Sequence, residues 1–319
     1  MEKLLPDSHR DLFSATLNSP SAHNAQPWNI RQTADDGLYE IHYLQTDDLP
    51  LDHDSKDAYL TMGAFIETLA LQAPNHGLKA AIEPKLEKSG DDLYIASVHL
   101  EHSDDPMVDH LSEWIALRHT NRNKYSKEEL PKALEADLRA LGNVLLNPID
   151  LKAVVREASI KSWTDKRYVA DLKNWFREDN SAEDGITPLP FNISKSDVIA
   201  MKFAFWKGGF KSRFMGSVYG SKEVSDFMSS SKIGVISSED MSPKNMLDAG
   251  RRLLRSWVTI ISQGYAYQPC SVAVDERSTV GKVADIAGVD NPLAVYRIGK
   301  PSSPAKARSN RRPLDKVID

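Results

Sequence analysis

NSPSAHNAQPW, Asn18–Trp28, sets two prolines among Ser21, His23, Asn24 and Gln26 and closes on a tryptophan. An ordinary surface turn needs only Pro, Asn or Ser. Here the prolines stiffen a loop that presents hydroxyl and amide groups together. Amides both donate and accept, so such a loop concentrates hydrogen-bonding groups of both kinds in a few residues.

Outward from this stretch, helix and strand signals alternate. LPDSHRDLFSATLN has an apolar helical face, and WNIRQTADDGLYEIHYL alternates around a DDG turn as a β-hairpin. A long helix follows and ends near Gly77, then a strand at GDDLYIASVHLE. A second long helix is capped by Gly264, with a late strand at NPLAVYRIGKP. The two long helices echo one another: GAFIETLALQAPNHG spans Gly63–Gly77 and GRRLLRSWVTIISQG spans Gly250–Gly264. The mixture predicts an α+β or α/β layered fold.

Composition narrows the function. The chain has 319 residues, 41% hydrophobic and 27% charged, enough for a large core, and its formal net charge of −5 makes nucleic acid a poor partner. One cysteine, Cys270, permits no intrachain disulfide and no CxxC zinc site. The nine histidines form no HxxxH or HExxH pair, so no metal site is expected. Without a signal-like apolar segment or a membrane span, the chain reads as cytoplasmic.

Three further stretches carry chemistry. RHTNRNKYS places Arg118 and Arg122 one helical turn apart, with Thr120 between them, a pattern that suits a phosphate or simply a solvated helix end. The tail KARSNRRPLDKVI holds Lys306, Arg308, Arg311 and Arg312 before apolar residues that suggest docking. GYAYQPCSVAVD bends at Pro269 and presents backbone amides near Ser271 and Val272, and Cys270 reads as a small buried hydrophobe.

Ser21, Asn24, Gln26, Pro27 and Trp28 match an SxxNxQPW pattern, and the stretch resembles the flavin-binding segment of the nitroreductase family. RHTNRNKYS resembles that family's arginine-rich opening, RRPLDKVI its C-terminal basic segment, and GYAYQPCSVAVD its loop beside the flavin ring. The order departs from the family pattern, because the arginine-rich opening stands in the second half and SxxNxQPW in the first. The resemblance, closest to the Acg-like branch with its DGI loop at Asp184–Ile186, implies two fused halves, 1–105 and 106–319. They would form a tandem pseudo-dimer of nitroreductase-like α+β fold, with antiparallel or mixed sheets flanked by helices, working as a monomer.

One FMN site is implied, with Trp28 either a core anchor beneath the loop or stacked on the flavin, and His23 facing either the ring or solvent. Ser21, His23, Asn24 and Gln26 would meet the ring or ribityl chain, Arg118, Thr120, Arg122, Arg311 and Arg312 the phosphate, and Ser271 and Val272 the ring nitrogen. The implied activity is ping-pong hydride transfer from NADH or NADPH to electron-poor acceptors such as nitro compounds and quinones. The alternative is a protein that stores or sequesters FMN with little turnover. Met201–Gly220, within a lid at about 179–235, reads either as a cover over the flavin or as a helix pair packed on the body.

Overall fold

Two sheets share one core, and the two long helices cross between them. The structure is a computed structural model that describes residues 5–44, 52–90, 92–207 and 213–319. Helix α1 (Asp7–Thr16) buries Leu12 and Phe13. Strands β1 (Trp28–Gln32) and β2 (Leu38–Leu44) form the expected hairpin, with Trp28 opposite Tyr43 and Ile30 opposite Ile41. Helix α2 (Lys56–Gln72) follows, then β3 (Leu78–Ser89) and β4 (Asp92–His102), giving a first sheet of order β1-β2-β4-β3.

The second half opens with short α3 (Ser112–Ile115) and β5 (Tyr125–Ser126), then α4 (Lys132–Ala140) and β6 (Asn143–Leu146). Four helices follow: α5 (Pro148–Thr164), α6 (Lys166–Trp175), α7 (Lys195–Lys207) and α8 (Arg213–Met228). Next come β7 (Lys232–Ser238), α9 (Pro243–Ser262), β8 (Ala266–Pro269), α10 (Val272–Asp275), α11 (Arg277–Ala287) and β9 (Asn291–Pro301). Leaving β5 aside, this sheet runs β6-β7-β9-β8. The order of the first sheet is therefore repeated, with α2 and α9 in corresponding places between the second and third strands of each. The halves differ where β6 and β7, instead of meeting in a tight turn, are separated by α5–α8.

The crossing of α2 and α9 explains their glycines. A Cβ on Gly63 would overlap the Leu247 carbonyl oxygen, and one on Gly250 would overlap the Leu60 carbonyl oxygen. Only hydrogen at both positions lets the backbones approach so closely. Helix α2 is buried on nearly every side, as a helix packed between a sheet and another helix must be. Trp28 is 1% exposed and stacks on Phe65 of α2 with centroids 4.9 Å apart, so it is the core anchor of the opening loop.

The tail crosses back to the first half. Ile30 N–H donates to the Val317 carbonyl at 2.8 Å and Asp319 N–H to the Ile30 carbonyl at 2.8 Å. This parallel bridge makes the otherwise antiparallel first sheet mixed at its edge. Leu314 and Val317 are buried in the core, so the chain end is docked as expected.

The stretch read as a lid or a packed helix pair is partly outside the described residues, at 208–212. Within it, Met201 and Ala204 are buried, Ala204 packing among Ala25, Trp163 and Trp175, while Phe203 and Trp206 face outward. None of the described side chains of α7 lines the site below.

Candidate functional site

A cavity of about 570 Å³ is lined both by residues of 20–64 and by residues of 120–297, within the range of small-molecule and cofactor sites. Ser21 and His23 of the opening loop and Thr61 and Ala64 of α2 form one wall. Ser271 and Val272 belong to the other. A recess of about 90 Å³ adjoins it, sharing Ser21, Thr120 and Arg122.

The loop is held in an unusual conformation. His23, Asn24 and Gln26 have φ of 50°, 59° and 54°, the left-handed region that side chains other than glycine rarely adopt. Such strain persists only where surrounding bonds over-determine it. Here Gln26 N–H donates to Ser21 Oγ at 3.0 Å, and Gly185 N–H donates to the Asn24 carbonyl at 3.3 Å.

The recess is cationic. Arg118, Arg122, Arg308 and Arg311 line it, with no carboxylate among its lining residues. Arg118 is 7% exposed; it donates to Tyr267 Oη at 2.7 Å and to the Asn18 carbonyl at 2.8 Å, and its buried Nε has no partner. Arg311 donates to Asn24 Oδ1 at 2.8 Å and to the Leu17 carbonyl at 2.9 Å. Burial, then the charge of Arg118 beside it, hold its guanidinium well below the usual arginine value. Arg122 lies over the Phe191 ring at 3.9 Å, and burial depresses it too. Buried guanidiniums bonded to neutral acceptors and repelling one another form a site that an anion would stabilise.

Three expectations are corrected. Gln26 lines neither cavity: its Nε2 donates to the Glu183 carbonyl at 2.8 Å and to the Asn24 carbonyl at 3.2 Å, and its Oε1 accepts from Arg312 N–H at 2.8 Å. Its amide clasps the DGI loop and the tail to the opening loop instead of meeting a ligand. Arg312 is likewise turned away, its Nη2 paired with Asp184 at 2.7 Å. Arg118 and Arg122 are not one helical turn apart, because α3 ends at Ile115 and the chain from 118 to 124 is irregular. They still converge, since the Asn121 amide bonded to the Ser303 carbonyl at 2.9 Å and Tyr125 Oη bonded to the Asn121 carbonyl at 2.6 Å fix the loop.

Asn24 lines the recess rather than the larger cavity, and Thr120 lines both. The structure adds Arg308, Tyr267 and Phe191. Arg308 was visible in the basic tail, whereas nothing local marks the other two. Cys270, expected as a small buried hydrophobe, is half-buried and lines the cavity, and burial pushes its thiol up to about 12, away from the thiolate form.

At the far end of the cavity, Lys56, 6% exposed, donates to Asp57 at 2.6 Å and to Asp275 at 2.8 Å, tying α2 to α10. His23 Nδ1 lies 3.5 Å from Asp171 Oδ2. Burial lowers His23 to about 4 against the opposing pull of Asp57. Burial, reinforced by Asp57 and Asp275, raises Asp171 to about 6. Among the described residues no helix is long and apolar enough to cross a membrane.

No family model matches the chain. Over 188 residues it is 25% identical to two Mycobacterium tuberculosis proteins, from strains H37Rv and CDC 1551, whose provisional name is NAD(P)H nitroreductase. That match covers 55% of this chain and 53% of theirs, so it spans about half the length of the curated relatives. Among solved structures, an Anabaena variabilis protein provisionally described as a nitroreductase aligns over 94% of this chain and 90% of its own, at 11% identity and TM-score 0.48. The FMN- and NADPH-dependent nitroreductase NfnB from Sphigopyxis sp. strain HMH aligns over 66% and 98%, at 16% identity and TM-score 0.39.

Proposed function

We propose that the chain is an FMN-binding oxidoreductase of nitroreductase type that takes electrons from NADH or NADPH and passes them to small electron-poor acceptors. The carrying observation is the recess lined by four arginines and no carboxylate, opening into a cavity of cofactor size. The names of the mycobacterial relatives agree with this reading.

The residues fit the cofactor. Arg118, Arg122, Arg308 and Arg311 would hold the phosphate, with the unpartnered Arg118 Nε as a ready donor. Ser21 and Thr120, on the shared rim, would meet the ribityl chain, and His23, Ser271 and Val272 would face the ring. FMN held there would supply two-electron transfer, which no side chain of the protein offers. The chain's own part is to bind, orient and exclude water: Phe191 covers Arg122, and the clasp of Gln26 and Arg312 keeps the strained loop in place.

The same reading takes the chain as two fused halves acting as a monomeric pseudo-dimer, close to the Acg-like branch. The repeated strand order and the paired glycine crossing support it. The storage reading is favoured by a different observation. Tyr168, Asp171, Phe191, Glu223 and Phe227, all from the segment between β6 and β7, line the cavity as its roof and would narrow the approach of a nicotinamide.

An absorbance spectrum of FMN-loaded protein before and after anaerobic NADPH separates the two. Bleaching of the yellow flavin is expected of the enzyme; a spectrum that only dithionite changes means storage. Protein that stays colourless when FMN is supplied overturns both.

A further inference from the structure

The roof of the cavity has charge that the proposed cofactor does not use. Eight carboxylate side chains and four guanidiniums line the cavity. Several of the acids are spent: Asp57 and Asp275 share Lys56, Asp165 pairs with Arg167, and Glu276 accepts from Ser278. Asp52 accepts the N–H groups of Asp57 and Ala58 at the start of α2.

Asp171, Glu223 and Asp226 remain, and of these Asp171 and Glu223 each keep a buried oxygen without a partner. Asp171, on α6, is 3% exposed; one oxygen lies 3.5 Å from His23, and the other has no hydrogen-bond partner. Glu223, on α8, accepts the Trp163 indole N–H at 3.3 Å through Oε1, while its buried Oε2 has no partner. A buried carboxylate oxygen without a donor is strongly disfavoured. The surrounding field has the same sign: burial and then Glu223, Asp275 and Asp171 all push the Tyr168 phenol upward. Two of the cations nearby serve elsewhere. Arg297 bonds to Gln268 and to the Asp226 and Asn123 carbonyls, and Arg122 stands at the shared rim with the recess.

We propose that this roof takes the positive group of an organic cation, so that the acceptor is a small aromatic molecule bearing a protonated amine, pyridinium or quaternary ammonium. Tyr168, which lines the cavity with Asp171 and Glu223, brings an aromatic ring to the same place. A metal ion fits less well, since the described residues hold no cluster of three His, Cys, Asp or Glu side chains placed to bind one. The inference rests on the oxidoreductase reading for the word acceptor; the binding preference stands on the roof alone.

The test is calorimetric titration at pH 7 with 4-nitrobenzylamine, which is protonated there, and with 4-nitrobenzyl alcohol, its uncharged counterpart of similar shape. The ammonium is expected to bind at least about tenfold tighter. Asp171→Asn is expected to cut that ratio below about threefold while leaving alcohol binding within about threefold, and Glu223→Gln to lower it in the same direction. Equal or weaker binding of the ammonium to the wild-type protein overturns the inference, as does a preference that survives in both variants. Each titration is run with and without FMN, with flavin retention recorded. Retained FMN without the preference sinks this inference alone; the preference without FMN retention sinks the flavin reading alone.

Discussion

Arg118→Met separates binding from folding at the recess. In the free protein Arg118 makes two hydrogen bonds to neutral acceptors, to Tyr267 and Asn18, each contributing about 1 kcal/mol. Against them stand the burial of a guanidinium with an unpartnered Nε and its repulsion of Arg311. Methionine keeps most of the apolar stem and removes both sides of this balance. The free protein should therefore change by roughly 1 kcal/mol or less, a melting shift of about 2–4 °C. With phosphate present the balance tips, because a charge-assisted bond contributes about 1.5–3 kcal/mol. FMN should bind roughly 10- to 150-fold more weakly. Quenching of flavin fluorescence measures the affinity, and thermal melting without FMN measures the fold. Arg312→Met is the control: its partly exposed pair with Asp184 is worth about 1 kcal/mol or less, and FMN affinity should stay within about threefold. An Arg118 variant that binds FMN within threefold of wild type, or one that loses FMN only in step with unfolding, would refute the phosphate assignment.

Three other outcomes follow from the packing and the charges. Gly63→Ala should destabilise the protein by about 3 kcal/mol or more in denaturant unfolding, since the methyl meets the backbone of α9 rather than a side chain that can move. Gln26→Ala should lower stability by about 2–3 kcal/mol through three lost bonds, seen as a fall in the urea midpoint before any loss of FMN at 20 °C. Asp171→Asn should stabilise the free protein by about 1–3 kcal/mol at pH 8. The sign follows from a folded-state value of about 6 against an ordinary 3.8: the folded carboxyl binds the proton more tightly, so its penalty is complete above pH 6 and disappears as the pH falls towards 4. His23, lowered to about 4, gives the opposite slope across pH 4–6.5, so the effect of Asp171→Asn is read as the difference in melting temperature at pH 8, above both values for His23.

Much of the fold was legible because its signals are local. The DDG hairpin, the closing glycines at 77 and 264, and the apolar faces of the two long helices each follow from short-range chemistry, and each is found. The site was legible only as a set of segments. SPSAHNAQPW, RHTNRNKYS and the basic tail do meet, but the sequence cannot say which side chain of each faces the space between them. Gln26 looked like a ligand group because an amide suits a heterocycle; the same two donors and one acceptor suit the backbone of 183 and 312 equally well, and there they are used. The role of Tyr267 could not be read locally because it is created by an arginine 149 residues away in sequence. That of Asp171 could not be read either, because a carboxylate on an amphipathic helix ordinarily faces water.

The repeated topology raises the question of why two equivalent seams would leave one site. Under the proposed tandem reading, the two crossing glycines give the register, and the residue after each is the first to face its own seam. After Gly63 that residue is Ala64, whose small side chain lines the cavity. After Gly250 it is Arg251, whose Nε reaches Glu67 at 2.7 Å. Glu67, 3% exposed, also bonds Arg255, and Arg255 in turn bonds Asp109 at 2.9 Å. Where one seam keeps a space, the other holds a network of four charged side chains whose buried member, Glu67, needs its arginines. Changing Arg251 to Ala would not reopen a second site, because it would leave that carboxylate without one partner and supply none of the recess arginines. On that reading the charged network at the second seam is bound into the packing of α2 on α9.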